Sequence, residues 1–437
     1  MRYGLSATLL ATLVIAASCV TAQEPPPSID FTVNTTADLI DDNAGNGLCH
    51  TSANTCSLRA AIMEANHLSV PELIVTIRVP AGTFALTRLP SGENGEDTGD
   101  LNLTAPLGAE QRVIIVGIGA SRAIIDANHI DRVLRITAGR NATVQRVVIR
   151  NGTTSGNPNF AGGGIYNSGS LALTESVVEG NAGNYGGGVL NTSTGTLTVT
   201  RTTIRSNLAS GIGGGLYLEG PTTIRDSTVH SNTANLSGGG IGVAAQFVNP
   251  LSVVNSTISY NVANGNGGGI SNQSTTFLYN TSVIGNDADH DQDEKGGSGG
   301  GVHNQPASRL VIVNALIADN TLGNVSVYND CAGVLEAHGW NLFNDTAGCT
   351  IPNAAAWGFV EPNTIGTLQD NGGPTWTHAL LAGSRAIDTT DNTLGCIDET
   401  GAFLLTDQRG ASRVIGARCD VGAFEFGAGT LFRNSFE

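Results

Sequence analysis

What most limits the folds open to this chain is a glycine triplet that returns on a near-fixed period. It reads GGGIYN at 162, GGGVLN at 186, GGGLYL at 213, GGGIGV at 238, GGGISN at 267 and GGGVHN at 299, at intervals of 24, 27, 25, 29 and 32 residues. Between the triplets, apolar and polar residues alternate and each run closes on Asn: LALTESVVEGN at 171, LTVTRTTIRSN at 197, TTIRDSTVHSN at 222, LSVVNSTISYN at 251, TFLYNTSVIGN at 276 and LVIVNALIADN at 310. An earlier copy, ATVQRVVIRN, starts at 142. Alternation is strand periodicity, and a period of about 20–50 residues marks a solenoid or array. Leucine-rich repeats need an L-x-x-L-x-L frame that is absent. Helical repeats need long helical periodicity and few glycines, whereas these segments are β-branched and glycine-rich.

The expected fold class is therefore all-β: a single parallel β-helix (solenoid). Short strands wind into coils that stack at about 4.8 Å and bury one aliphatic face. Residues from about 113 to 330 give roughly eight coils and a rod of roughly 40 Å. Asn at a turn can enter the left-handed region and bond its amide to the Asn of the next coil. The triplets are not phosphate loops, since no Lys-Ser or Lys-Thr follows them. Lacking Cβ atoms, they allow a turn with positive φ and close stacking of coils.

An exposed stack end invites aggregation, so both ends should be covered. In CSLRAAIMEANH at 56, Leu58, Ala61, Ile62 and Ala65 share one helical face behind Ser57 as N-cap, which predicts a short helical cap on the first coil. From 336 to 426 the repeat is lost, and that segment is expected to cap the other end.

The N-terminus has one Arg before an apolar run and small residues ending at Ala22, the pattern of a secretory signal peptide and too short to span a bilayer. AASC at 16–19 weakly resembles a lipoprotein site, with Cys19 as the lipid acceptor in that minority reading. Cleavage after Ala22 leaves six cysteines, an even number that suits an oxidising compartment. The pairing expected among the 15 possible is local: Cys49 with Cys56, Cys331 with Cys349, Cys396 with Cys419. The domain plan is signal peptide 1–22, linker 23–28, N-terminal cap 29–70, β-helix 71–335, C-terminal cap 336–426 and tail 427–437.

Charged residues are 13% of the chain against 40% hydrophobic, which points to a folded, turn-rich protein rather than disorder. Lys and Arg number 21 against 37 Asp and Glu, for a net charge of −16. That opposes nucleic acid and anionic membrane as partners, and acidic polysaccharide too unless a cation bridges. No later segment is apolar enough to cross a membrane, and a monomer is expected.

Residues 31–66, FTVNTTADLIDDNAGNGLCHTSANTCSLRAAIMEAN, closely resemble the CSLREA domain, with Ala60 in place of the motif's Glu. LQDNGGPTWTHALLAGSRAID at 368 and TDQRGASRVIGARCDVGAFEF at 406 resemble the choice-of-anchor Q domain, and the GGGI and xxN repeats are similar to those of polymorphic outer-membrane adhesins. The resemblance implies a secreted bacterial protein with a right-handed β-helix, displayed at or released from the cell surface. It carries over no catalytic residue. The tail TLFRNSFE resembles short C-terminal tails of secreted bacterial proteins, which implies a sorting or attachment role.

Several stretches imitate active sites. VIIVGIGASR at 113 has Gly117 and Gly119 of a dinucleotide fingerprint, but Arg122 stands at the third glycine and strand-like alternation follows, so a turn between coils is expected. NDADHDQDEKGGSGGG at 286 is read as a loop inserted between coils, placing Asp287, Asp289, Asp291 and Asp293 in alternation beside Glu294. Hard carboxylate oxygens at that density suit Ca²⁺; the EF-hand frame fails, and a solvated acidic loop is the plain reading. DDNAGNG at 41 is a weaker calcium candidate. His378, Ser384 and Asp388 lie close in sequence, which says nothing about a triad, and His303 follows the last triplet with no direction assigned. The expected function is a structural or adhesive module contacting glycan or another surface. The alternative is a polysaccharide lyase or hydrolase, calcium-dependent or not, although the polygalacturonase signatures are not found together and the lyase RxPxxR pattern is absent.

Overall fold

The computed structural model describes residues 25–428, apart from 92–94, 106–109, 155–160, 246–250, 293–295, 324–326 and 391–394. The signal segment, Cys19, Asp293 and residues 429–437 of the tail thus lie outside the described residues. The chain is a parallel β-solenoid whose coils contribute short strands to four columns. Column a holds Ile165–Asn167, Val189–Asn191, Leu216–Leu218, Ile241–Val243, Ile270–Asn272 and Val302–Asn304. Column b runs Ser170–Thr174, Thr196–Thr200, Thr222–Arg225, Leu251–Val254, Thr275–Tyr279 and Arg309–Val313. Column c runs Val177–Glu179, Thr203–Arg205, Thr228–His230, Thr257–Ser259, Ser282–Ile284 and Leu316–Ala318. Column d is made of two-residue strands from Ala182–Gly183 to Thr321–Leu322.

Each repeated motif maps to part of a coil. The triplet opens column a, and the aliphatic residue after it (Ile165, Val189, Leu216, Ile241, Ile270, Val302) is fully buried in the core. The alternating run makes columns b and c, bent where Glu175, Arg201, Asp226, Asn255, Asn280 and Asn314 take φ of 47–55°. The three glycines have separate reasons. The first has φ of 63–75°. A Cβ on the second would strike the backbone of the next coil, as Gly187 would meet Leu208 O at 2.4 Å; one on the third would strike the ladder asparagine, as Gly188 would meet Asn207 Nδ2 at 3.0 Å.

The closing asparagines form a buried ladder. Asn181, Asn207, Asn232, Asn261 and Asn286 each donate Nδ2 to Oδ1 of the next, Asn320 being the last, at 2.9 Å every time. The expected left-handed residue is displaced by one: Gly180, Ser206, Ser231, Tyr260, Gly285 and Asp319, just before the ladder, carry φ of 53–71°, and only the first copy puts Asn151 itself there. This turns the chain while leaving the Asn side chain pointing inward.

Asp330 ends the ladder. Its Oδ1 accepts from Asn320 N and Nδ2, and its Oδ2 from Asn344 N at 2.6 Å and Asp345 N at 2.9 Å. Burial pushes its carboxyl up to about 7 against those four donors. Asp330→Asn keeps the shape but offers one acceptor oxygen to two pairs of donors. It is expected to cost about 1–3 kcal/mol, read as a lower urea midpoint; an unchanged midpoint would refute the assignment of Asp330 as a double acceptor.

At the N-terminal end, helix α1 (Leu58–His67) packs on strands Ile74–Ala85 and Leu101–Leu103. Ser57 caps it, its hydroxyl accepting from Ala60 N at 3.0 Å. Leu58, Ala61, Ile62 and Ala65 are buried in the first coils. Arg59 beside them is buried too, paired with Asp38 at 2.6 Å and donating to Gly99 O at 2.8 Å. The first coil begins earlier than the repeat suggests, because Ser28–Thr32 already pairs in parallel with the strand starting at Ile74. VIIVGIGASR lies within one strand, Arg112–Asp126, rather than at a turn between coils; Gly117 is required there because a Cβ would lie 2.1 Å from Arg146 O.

The other end departs further from expectation. Parallel stacking continues past 335 through Glu336–His338, Asn341–Phe343 and Trp357–Phe359. The described residues of 364–428 then pack along the side of the stack, against the outer face of column c, where a lid on the last coil was expected. The reason lies in the outward residues of that column. The earlier coils carry Glu179 and Arg205 there, whereas the later ones carry Thr228, Thr257, Ser259, Ser282, Ile284, Leu316 and Ala318, all buried. Ile284, Leu316, Ala318, Leu342 and Val360 form a second core with Leu380, Ala386, Val421 and Phe424 of this flank. Three disulfides join Cys49 to Cys56, Cys331 to Cys349 and Cys396 to Cys419.

Candidate functional site

The flank holds the most elaborate polar constellation in the described residues, and it is a clasp. Asp407 turns the chain by accepting from the amides of Arg409 and Ala411 with one oxygen and from the Arg409 guanidinium and Glu425 N with the other. The Arg409 guanidinium lies 3.6 Å from the Phe424 ring centroid. Glu425 accepts from Ile415 N and Asp420 N, and burial pushes its carboxyl up to about 7. Gln408 reaches into the solenoid: Thr257 Oγ1 donates to its Oε1 at 2.6 Å, and its Nε2 donates to Thr228 Oγ1 at 2.9 Å. Gln408 was not singled out in the sequence, because a lone Gln in a loop carries no pattern; only its place in the TDQRGAS stretch of the terminal motif could have flagged it.

The triad suggested by His378, Ser384 and Asp388 is not assembled. The His378 ring bonds Gly366 O at 2.7 Å through Nδ1, so Nδ1 carries the proton and Nε2 accepts from Ser259 Oγ at 2.8 Å. Burial holds this imidazole neutral, down to about 4. Ser259 and His378 have a nucleophile–base distance, but both are buried in the seam between column c and the flank, out of a substrate's reach. Ser384 Oγ accepts from Ala386 N, and Asp388 accepts from Arg418 N.

The acidic loop is partly structural. Asp287 lies in column d (Asp287–Ala288), so the insertion begins after Ala288 rather than at 286. Its oxygens are engaged by Thr321 Oγ1 at 2.8 Å and His290 Nδ1 at 2.7 Å. Asp289 sits at a bend with φ of 52°, and Asp291 is exposed. Among the described residues no three His, Cys, Asp or Glu side chains form a metal shell. In the DDNAGNG turn, Asp41 accepts from Asn43 N and His50 N, while Glu64 of helix α1 binds the amides of Gly45 and Gly47. Those carboxylates fasten the cap.

The outward faces of columns a and b are the surfaces on which this fold could meet a ligand. His303 points outward on column a, beside Ser271 in register; burial lowers its pKa. Column b carries Ser170, Thr196 and Thr198 in the open on its early coils. Further along, the rings of Phe277 and Tyr279 lie 6.1 Å apart at 11°, with the Arg309 guanidinium 5.4 Å from the Phe277 centroid. Arg309 is paired with Glu336 at 2.7 Å, and that hydrogen bond holds the Glu336 carboxyl down to about 2. At the start of the stack a cleft of about 480 Å³ is lined by Glu72, Ile74, Glu110, Gln111, Arg112 and Asn141; its Gln111 amide is already bonded to Leu68 O and Arg140. No helix among the described residues is long and apolar enough to cross a membrane. In comparisons with known proteins, the chain matches no family model and no curated protein.

Proposed function

We propose that this chain is a secreted, cell-surface β-helix of the CSLREA and choice-of-anchor Q kind, a non-enzymatic module that contacts a glycan along the outward face of column b. The carrying observation is the Phe277–Tyr279 pair with Arg309 beside it: flat apolar rings next to a charge already balanced by Glu336. Such a surface suits the C–H faces of an uncharged sugar better than an ion. The exposed hydroxyls of Ser170, Thr196 and Thr198 lie on the same column, earlier in the stack. A right-handed winding is the hand expected of parallel strands joined by crossovers, and three disulfides suit an oxidising compartment. The groups that imitate catalysis are buried or engaged in the clasp.

On an array of neutral and uronate oligosaccharides, saturable binding of a neutral glycan without release of reducing ends is expected. Phe277→Ala with Tyr279→Ala should weaken it by roughly tenfold or more, about 1.4 kcal/mol. Turnover of any glycan, or binding untouched by the double substitution, would overturn the reading.

A further inference from the structure

Resting on the glycan reading of column b, we propose that the flank completes that site: Tyr279 Oη as donor and the Glu399 carboxylate as acceptor bind neighbouring hydroxyls of a neutral pyranose stacked on Phe277 and Tyr279. Glu399 stands in a tight turn of the flank. Asp398 N donates to Ala402 O, and Asp398 Oδ1 accepts from Thr400 N at 2.9 Å, Thr400 Oγ1 at 2.6 Å and Ala402 N at 3.1 Å. The turn is fastened to column b from two directions. Asn280, the residue after Tyr279, donates Nδ2 to Ile397 O at 2.8 Å. Arg225 shares the outward position of Tyr279 two rungs earlier. Its Nη2 donates to the two oxygens of Glu399 at 2.9 and 2.7 Å and to Asp398 at 3.3 Å. A short turn anchored in this way holds Glu399 beside the aromatic pair before any ligand arrives, so little is left to order on binding.

The polar groups at this corner have the capacity a sugar needs. Both oxygens of Glu399 face one nitrogen of Arg225, which leaves lone pairs on each, and the side chain is 29% exposed. The Tyr279 hydroxyl makes no hydrogen bond to any described residue. Burial raises its pKa; the nearby Glu399 adds to this, Arg309 opposes it and Asp398 adds again. The phenol therefore stays protonated, a donor with Glu399 as its neighbour and not its partner. A sugar hydroxyl both donates and accepts, so two adjacent ones match this acceptor and donor. On the other side of the rings, Arg309 is paired with Glu336 at 2.7 Å. A uronate would meet the carboxylates of Asp398, Glu399 and Glu336, and an amino sugar would compete with the arginines that hold them. Uncharged hydroxyls do neither, which selects a neutral sugar.

Calorimetric titration of the full chain with cellohexaose, xylohexaose, mannohexaose and maltohexaose tests this. At least one should bind saturably, and Phe277→Ala should weaken that binding. Against the same oligosaccharide, Tyr279→Phe should lose about three- to tenfold in affinity and Glu399→Gln about tenfold or more, since a bond to a charged acceptor is the stronger. Tyr279→Phe keeps the ring and removes a hydroxyl that holds nothing in the protein, so its urea midpoint should stay where it is. Unchanged affinity in either variant, with Phe277→Ala still weakening, overturns the shared site and leaves the column b reading standing. Failure of all four oligosaccharides to bind, or a Phe277→Ala variant that binds like the parent, overturns both. If Glu399→Gln lowers the urea midpoint, Tyr279→Phe alone decides: weaker binding supports the shared site, unchanged binding refutes it.

Discussion

Gly239→Ala should lower the stability of the solenoid by about 3 kcal/mol or more. The added Cβ would lie 2.3 Å from Val262 O and 2.5 Å from Gly268 O. Both are backbone atoms of the next coil, held by the ladder of parallel strands, so neither can swing aside as a flexible side chain would. Relief requires two coils to part, and a stack in which each coil contacts only its neighbours loses its continuity there. Gly296→Ala is the matched control. Gly296 has φ of 66° but nothing within 4 Å of the added carbon, so only the left-handed backbone is penalised, about 1–2 kcal/mol. Urea unfolding of both variants measures the difference; equal midpoints would show that the triplets serve conformational freedom alone.

Asn232→Asp should be nearly as damaging, although it changes one heavy atom. Asn232 is fully buried. Its Oδ1 accepts from Asn207 N at 3.0 Å and Asn207 Nδ2 at 2.9 Å, and its Nδ2 donates to Ile204 O and His230 O at 3.0 Å and to Asn261 Oδ1 at 2.9 Å. Aspartate replaces that donor by an oxygen facing three others. A buried charge so placed costs about 3 kcal/mol or more, and the group escapes by holding a proton. Its folded pKa is then raised, so the loss is smallest below pH 4 and grows as pH rises through the folded value. Thermal melts at pH 4 and pH 8 check both sign and size. A variant equally unstable at the two pH values would mean the ladder is sensitive to shape rather than to donor and acceptor order. Asp330 shows the converse: at the end of the ladder, with four donors converging, the carboxylate is the fitting residue.

Periodic features were legible in the sequence because each repeats one physical requirement. Six triplets followed by Ile, Val or Leu located column a, and the closing asparagines located the ladder. Helix α1 was legible from Ser57 and the face formed by Leu58, Ala61, Ile62 and Ala65. The side placement of the described residues of 364–428 was not, because the residues that receive them are Thr228, Thr257, Ser259 and Ser282. Hydroxyls on an outward strand face read the same whether water or another segment covers them. The left-handed residue was misplaced by one position for a related reason: Gly180, Ser206, Ser231, Tyr260, Gly285 and Asp319 share no chemistry, so the turn leaves no composition to read. His378 drew notice beside Ser384, while its actual partner, Ser259, lies more than a hundred residues earlier.

The flank is registered to particular rungs. Arg225, Thr228, Asn255, Thr257, Asn280, Ser282 and Asn314 each meet a fixed partner on it. Duplicating or deleting a coil between 225 and 318 would slide those partners out of line by a whole strand spacing. The coils from Ser170 to Arg205 carry none of these partners, so the rod can be lengthened or shortened there while the clasp stays in register. The molecule therefore divides into a segment of adjustable length and a segment of fixed gauge.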